Sequence, residues 1–169
     1  MASAQYVELQ HLTRRYGEVT LRFHHQVKEL GRKIVSAYAL FLGSPTSAPD
    51  AVPPEGDFGG DAPWNDTAFS SFGASLLSLD HVRMGLRTKI DDLSDDGATL
   101  VRTIIEFQPC DETVRVVVGS RSISFAGKNE SDCIQEVCKA VLEDVKDTFA
   151  PDLADADGHQ KIGYLRHER

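Results

Sequence analysis

No stretch of this 169-residue chain approaches the ~18 consecutive apolar residues that a bilayer-crossing helix needs, so the sequence argues against membrane insertion. Cysteine is scarce. Cys110, Cys133 and Cys138 form no disulfide framework and fit a reducing compartment. The first residues, Met-Ala-Ser-Ala-Gln, carry neither a basic nor an apolar leader segment, and together these features point to a cytoplasmic location. Positive charge is also short: 18 Lys and Arg against 26 Asp and Glu give a formal charge of -8, which argues against a non-specific nucleic-acid coat. There is no phosphate-cradling glycine loop, no HExxH, no GxSxG and no paired CxxC. No catalytic residue, cofactor or metal ligand is assigned, and an enzyme is the less favoured reading.

What the chain does contain is patterning. Between Leu79 and Ala126 four short runs alternate apolar and polar residues, separated by turn chemistry, and predict a four-stranded antiparallel meander over 79–126. Val82, Met84, Leu86 and Ile90 share a face in the first run; Val101, Thr103, Ile105 and Phe107 do so in the second. Val114, Val116 and Val118 follow in the third, then Gly119-Ser120 as a tight hairpin loop, then Ile123 and Phe125. Residues facing each other across strands must lie on the same side of the sheet. That rule pairs Met84 with Ile105, Arg83 with Glu106, Phe107 with Val114, Ile105 with Val116, and Val116 with Ile123. It also collects Arg83, Arg87, Lys89, Arg102 and Arg115 on the polar side, a candidate site for an anion.

Helical periodicity brackets the sheet. From Leu9 to Phe41 apolar residues recur every three or four positions, predicting one long helix over 4–43 that ends near Gly43-Ser44-Pro45. A second helix over 129–150 carries Ile134, Val137, Cys138, Val141, Leu142 and Val145, with Asn129 or Ser131 as its cap and Pro151 as its stop. The Pro- and Gly-rich stretch 44–63 reads as a flexible surface loop, 65–77 as a short helix capped by Asn65, and 152–169 as a tail. Trp64, Phe69 and Phe72 in this middle segment are candidates either for closing the core or for docking a partner. The fold class is α+β in one domain spanning 1–169, a two-layer packing with both helices on one sheet face.

The long helix carries an implication for assembly. Some 36 residues at about 1.5 Å span roughly 55 Å, while a 12-residue strand spans about 40 Å, so one sheet does not cover the apolar stripe end to end. The favoured expectation is a non-catalytic interaction protein of adaptor, chaperone or immunity type, a homodimer or one bound to another protein. The alternatives are anion or nucleic-acid binding through the basic face, and a small-molecule binder or enzyme with a cavity between sheet and helices. RNA readout is disfavoured because the polar face offers no aromatic platform.

His24-His25 with Glu29, Cys133 at a helix start, and the acidic run Asp91–Asp96 are the remaining candidates for chemistry. Too few ligands, no adjacent histidine and no terminal glutamate, respectively, leave them as ordinary surface or core residues.

Overall fold

The computed structural model describes residues 3–44, 48–60, 66–91, 97–150 and 161–166. Helix α1 runs Ala4–Leu42 and helix α2 runs Glu130–Thr148. The strands are β1 Asp50–Val52, β2 Val82–Asp91, β3 Gly97–Cys110, β4 Thr113–Val118, β5 Arg121–Ser124 and β6 Ile162–Arg166. The class is α+β, and the sheet is antiparallel with six strands among the described residues, two more than the alternation predicted. Five follow the order β1-β2-β3-β4-β5, and β6 pairs with the first half of β3 while β4 pairs with its second half.

Local chemistry accounts for the helix ends. The Ser3 side chain accepts a hydrogen bond from the Tyr6 N–H, and Gly43 adopts the left-handed conformation at φ 61° that closes α1. Asn129 caps α2 by accepting from the Ser131 N–H at 2.9 Å, and Glu130 and Asp132 lie in its first turn, where carboxylates favour the dipole.

The pairing of β2 with β3 is the expected one, with Met84 opposite Ile105, Arg83 opposite Glu106 and Ile90 opposite Thr99. The last hairpin also agrees, with Val116 opposite Ile123 and Val118 opposite Arg121. The β3–β4 register differs by two residues: Phe107 faces Val116, Ile105 faces Val118 and Arg115 faces Gln108. The cause is a tighter turn. Cys110 pairs with Thr113, so only Asp111 and Glu112 form the loop, and Asp111 takes φ 51°. Pro109 is therefore inside β3. Its pair with Val114 is the one next to the hairpin-closing pair, whose amides point away from each other, so proline's missing N–H removes no bond to β4.

Three other segments depart from expectation. The loop 44–63 contains β1, whose Asp50 pairs with Arg87 and Val52 with Gly85. The helix expected over 65–77 is reduced to a single 3₁₀ turn at Asp66–Ala68, with Asn65 outside the described residues. In the tail, Ile162–Arg166 forms β6.

One face of the sheet packs on both helices. Phe23, Val27, Leu30, Ile34 and Tyr38 of α1, Val137, Cys138 and Val141 of α2, and Met84, Leu86, Ile105, Phe107 and Val116 of the sheet belong to one buried cluster. Phe69 joins them through Gly31: a Cβ there would lie 2.9 Å from the Phe69 ring and 3.3 Å from the Met84 sulfur. Glycine, unfavourable within a helix by ~1 kcal/mol, is here the condition for that contact.

Two hydroxyls interrupt this apolar layer. Tyr38 Oη and Thr88 Oγ1 are buried and interact, yet neither makes a hydrogen bond of good geometry. Burial drives the Tyr38 phenol's pKa up, with the Thr88 hydroxyl opposing. Removing one partner orphans the other, whereas removing both relieves the desolvation of two polar groups. The double variant Tyr38→Phe/Thr88→Val should therefore match or exceed the parent by about 1 kcal/mol in urea unfolding, while Tyr38→Phe alone gains less.

Candidate interaction surfaces

The polar face of the sheet is not open where the arginines are densest. Arg87 and Arg102 are cross-strand partners, and both are buried. Residues Pro53–Gly60 cross over them as a strap. Arg87 Nη1 donates to the carbonyls of Phe58 at 2.9 Å and Gly60 at 2.6 Å, and its Nη2 donates to Asp50 Oδ2 at 2.6 Å. Arg102 Nη1 donates to the carbonyls of Gly56 at 2.8 Å and Pro53 at 3.2 Å, and its guanidinium lies 4.4 Å from the centre of the Phe58 ring.

The guanidinium fork suits this task because strap carbonyls have no ladder partner and need donors. Burial pulls the Arg102 pKa below its ordinary value, and Glu55 and Asp57 act in the opposite sense. Gly85 lies beneath the strap, where a Cβ would come within 2.7 Å of the Val52 carbonyl. Val52, Phe58 and Leu100 complete a small second core on this side.

Of the remaining members of the basic set, Arg83 also reaches the strap, whereas Lys89 and Arg115 do not. Arg83 pairs with Glu55 at 2.9 Å, and Lys89 lies 3.8 Å from Asp91. Arg115 is exposed at the other end of the sheet, donating to the Cys110 sulfur at 3.6 Å. Glu106, opposite Arg83, is 2.9 Å from His81 Nδ1. The expectation of five cations on one open surface is corrected: Arg87 and Arg102 are buried beneath the strap, and Arg83 pairs with its Glu55.

The aromatic candidates divide. Trp64 lies outside the described residues. Phe69 is a core residue, packed near Phe107 with ring centres 6.4 Å apart. Phe72 is exposed, as are Leu76 and Leu77 after it. The backbone leaving this segment is tied to α1, for the Leu79 N–H donates to Tyr16 Oη at 3.3 Å and His24 Nε2 is 2.9 Å from the Ser78 carbonyl. His24 thus faces inward while His25 is exposed, so the pair does not act as one ligand set. No group of three or more His, Cys, Asp and Glu side chains gathers among the described residues.

A shallow cleft of about 380 Å³ opens between α1, β4 and the start of α2, lined by His25, Glu29, Lys33, Val114, Phe125 and Lys128. A 2.6 Å ion pair between Lys33 and Glu130 spans it.

The largest apolar exposure belongs to α1. Every residue from Ala4 to Tyr16 is exposed, and Thr20 is the first to be buried. An α-helix returns to the same direction after five turns, about 18 residues, so Leu9 points as Val27 does, Leu12 as Leu30 and Tyr16 as Ile34. The second trio is 1%, 7% and 0% exposed; the first is 58%, 57% and 50% exposed. The core-facing stripe of α1 therefore continues past the body of the protein, met among the described residues by the Leu79 amide at Tyr16 and otherwise exposed. Tyr6, which points as the buried His24 does, extends one edge of it towards the tip.

No protein-family model, no curated protein and no solved structure matches this chain.

Two measurements check these placements. Arg102→Leu should free the strap, with faster amide exchange across 53–60 and a loss of about 2 kcal/mol in urea unfolding, because the Pro53 and Gly56 carbonyls lose their buried donor. Among the thiols, burial pushes Cys138 up to about 11 and raises Cys133 as well, although Cys133 begins a helix. At pH 8 an alkylating reagent should modify Cys110 readily and reach the other two only on unfolding.

Proposed function

We propose that this protein is a non-catalytic interaction domain of adaptor, chaperone or immunity type, and that its working surface is the free half of α1 together with the Phe72–Leu77 segment. The observation that carries this reading is the continuation of the core stripe onto the free arm of α1. Residues that would be core if the body were longer are held in water on a rigid helix. A contiguous apolar surface of that kind marks a binding site in a folded protein. Its chemistry suits an amphipathic helix of a protein partner, because a straight stripe of Leu and Tyr at three- and four-residue spacing offers ridges to a second helix.

Anion binding through the sheet face has less support, since Arg87 and Arg102 are occupied by Asp50 and the strap carbonyls. An interaction role puts specificity at the edge of the stripe, where Glu8 and Arg15 carry opposite charges.

A photo-cross-linking residue substituted at Leu9 or Leu76 should form protein adducts in the host cell. The same residue at Leu21 or Leu40, which are exposed at 63% and 85% but off the stripe, should not. Equal labelling from all four positions would refute the assignment of the surface.

A further inference from the structure

We infer that the partner of the free α1 arm is the same arm of a second copy, packed antiparallel. This rests on the stripe being the working surface and adds the identity and direction of what covers it.

Direction follows from sterics. The stripe on Ala4–Val19 and the buried face on Thr20–Tyr38 point the same way, so the protein's own body occupies the stripe side of the helix from Thr20 onward. A helix laid parallel on the arm would run into that body within its own length. Laid antiparallel, it is limited only at its tip, and a second arm of equal length fills the available span from Ala4 to Val19.

Charge selects the same alignment. Setting Ala4 level with Val19 of the second copy brings Glu8 level with that copy's Arg15, and two-fold symmetry repeats the pair with the roles reversed. Glu8 and Arg15 are seven residues apart, so they flank the stripe on one edge, and a two-fold axis across the helix pair brings like edges together. Neither has an ion-pair partner among the described residues. In the parallel arrangement the residues following Leu12 and Val19 on the facing edge are Thr13 and Thr20, which offer no such complement.

The antiparallel alignment also accounts for the apolar segment beside the arm. The tip of the second copy's arm, with its Tyr6, reaches the level of Tyr16 and Gly17. There the Tyr16 hydroxyl binds the Leu79 amide, and Leu76 and Leu77 stand exposed. Leu9 inserts between Leu12 and Tyr16 of the second copy, and the two Leu12 side chains meet near the axis.

The decisive experiment is sedimentation or light scattering of the intact chain across a concentration series, with three variants. The parent should be dimeric. Leu9→Glu/Leu12→Glu should weaken association by at least about 100-fold with an unchanged far-UV spectrum, since both side chains are exposed in the monomer. Glu8→Arg and Arg15→Glu should each weaken it about 10-fold, and Glu8→Arg/Arg15→Glu should restore it. A monomeric parent overturns the second-copy inference while leaving the cross-linking result at Leu9 to decide whether the stripe binds another protein. A dimer indifferent to the Leu9 and Leu12 substitutions overturns both. A dimer broken by them but not restored by the charge swap overturns the antiparallel alignment alone.

Discussion

The length of α1 relative to the body it packs on governs the architecture. Its 39 residues span about 58 Å, and its buried positions run only from Thr20 to Tyr38. The half that is buried supplies the core with Phe23, Val27, Leu30, Ile34 and Tyr38, which fixes the rotation of the whole helix about its axis. Because a helix is rigid over such distances, that rotation is inherited by the free half. The exposed face of Leu9, Leu12 and Tyr16 is aimed by the core packing of residues five turns away. The body also solves a problem for the arm: an isolated helix of some 16 residues is marginal in water, but one continuing from a packed helix avoids the nucleation step.

The two faces of the sheet are finished by different physics. On the helix side, apolar side chains interdigitate and the few polar atoms, Tyr38 Oη and Thr88 Oγ1, are liabilities. On the other side the sheet is covered by a strap poor in apolar residues, and two arginines do what a core cannot. Each guanidinium carries several donors in a fixed plane, which can satisfy the carbonyls of an irregular loop while the ring of Phe58 covers the charge. Asp50, 42% exposed, supplies the counter-charge for Arg87 from β1 itself. The strap, β1 and Gly85 are thus one unit. A side chain at Gly85 or a lost guanidinium would displace the same few residues.

How much of this was legible in the sequence follows from what alternation can and cannot encode. It assigns each residue to a face, so the core set and the β2–β3 register were readable, and the Gly119-Ser120 loop settled the last hairpin. It does not distinguish registers that differ by two residues, because such a slip leaves every side chain on its face. The β3–β4 pairing was missed for that reason: the sequence Pro109-Cys110-Asp111-Glu112 reads as a four-residue turn, and the structure uses only its last two positions. Nor does alternation say what lies over a face. Arg87 and Arg102 were placed on the correct side but expected in water, because the composition of 44–63 conceals a three-residue strand and a single buried phenylalanine, Phe58. Phe69 and Phe72 stand three residues apart in a segment without periodicity, and nothing local told the buried one from the exposed one.

The surplus of the helix over the sheet was legible, and magnitudes show why it matters for assembly. Burying a large apolar side chain fully is worth roughly 1.5–3 kcal/mol, and Leu9, Leu12 and Tyr16 are about half exposed, so each retains on the order of 1 kcal/mol to release. Two copies, with Tyr6 and the Leu76–Leu77 segment added, bring the total to about 10 kcal/mol, within the range of the 4–15 kcal/mol that association costs in lost freedom. Apolar burial alone therefore leaves such a contact near balance, and the charged edges of the stripe determine the outcome. Glu8 and Arg15 weigh more here than their surface exposure suggests, because in a contact this close to balance a pair worth even ~0.5–1 kcal/mol, counted twice by symmetry, separates a stable assembly from a transient one.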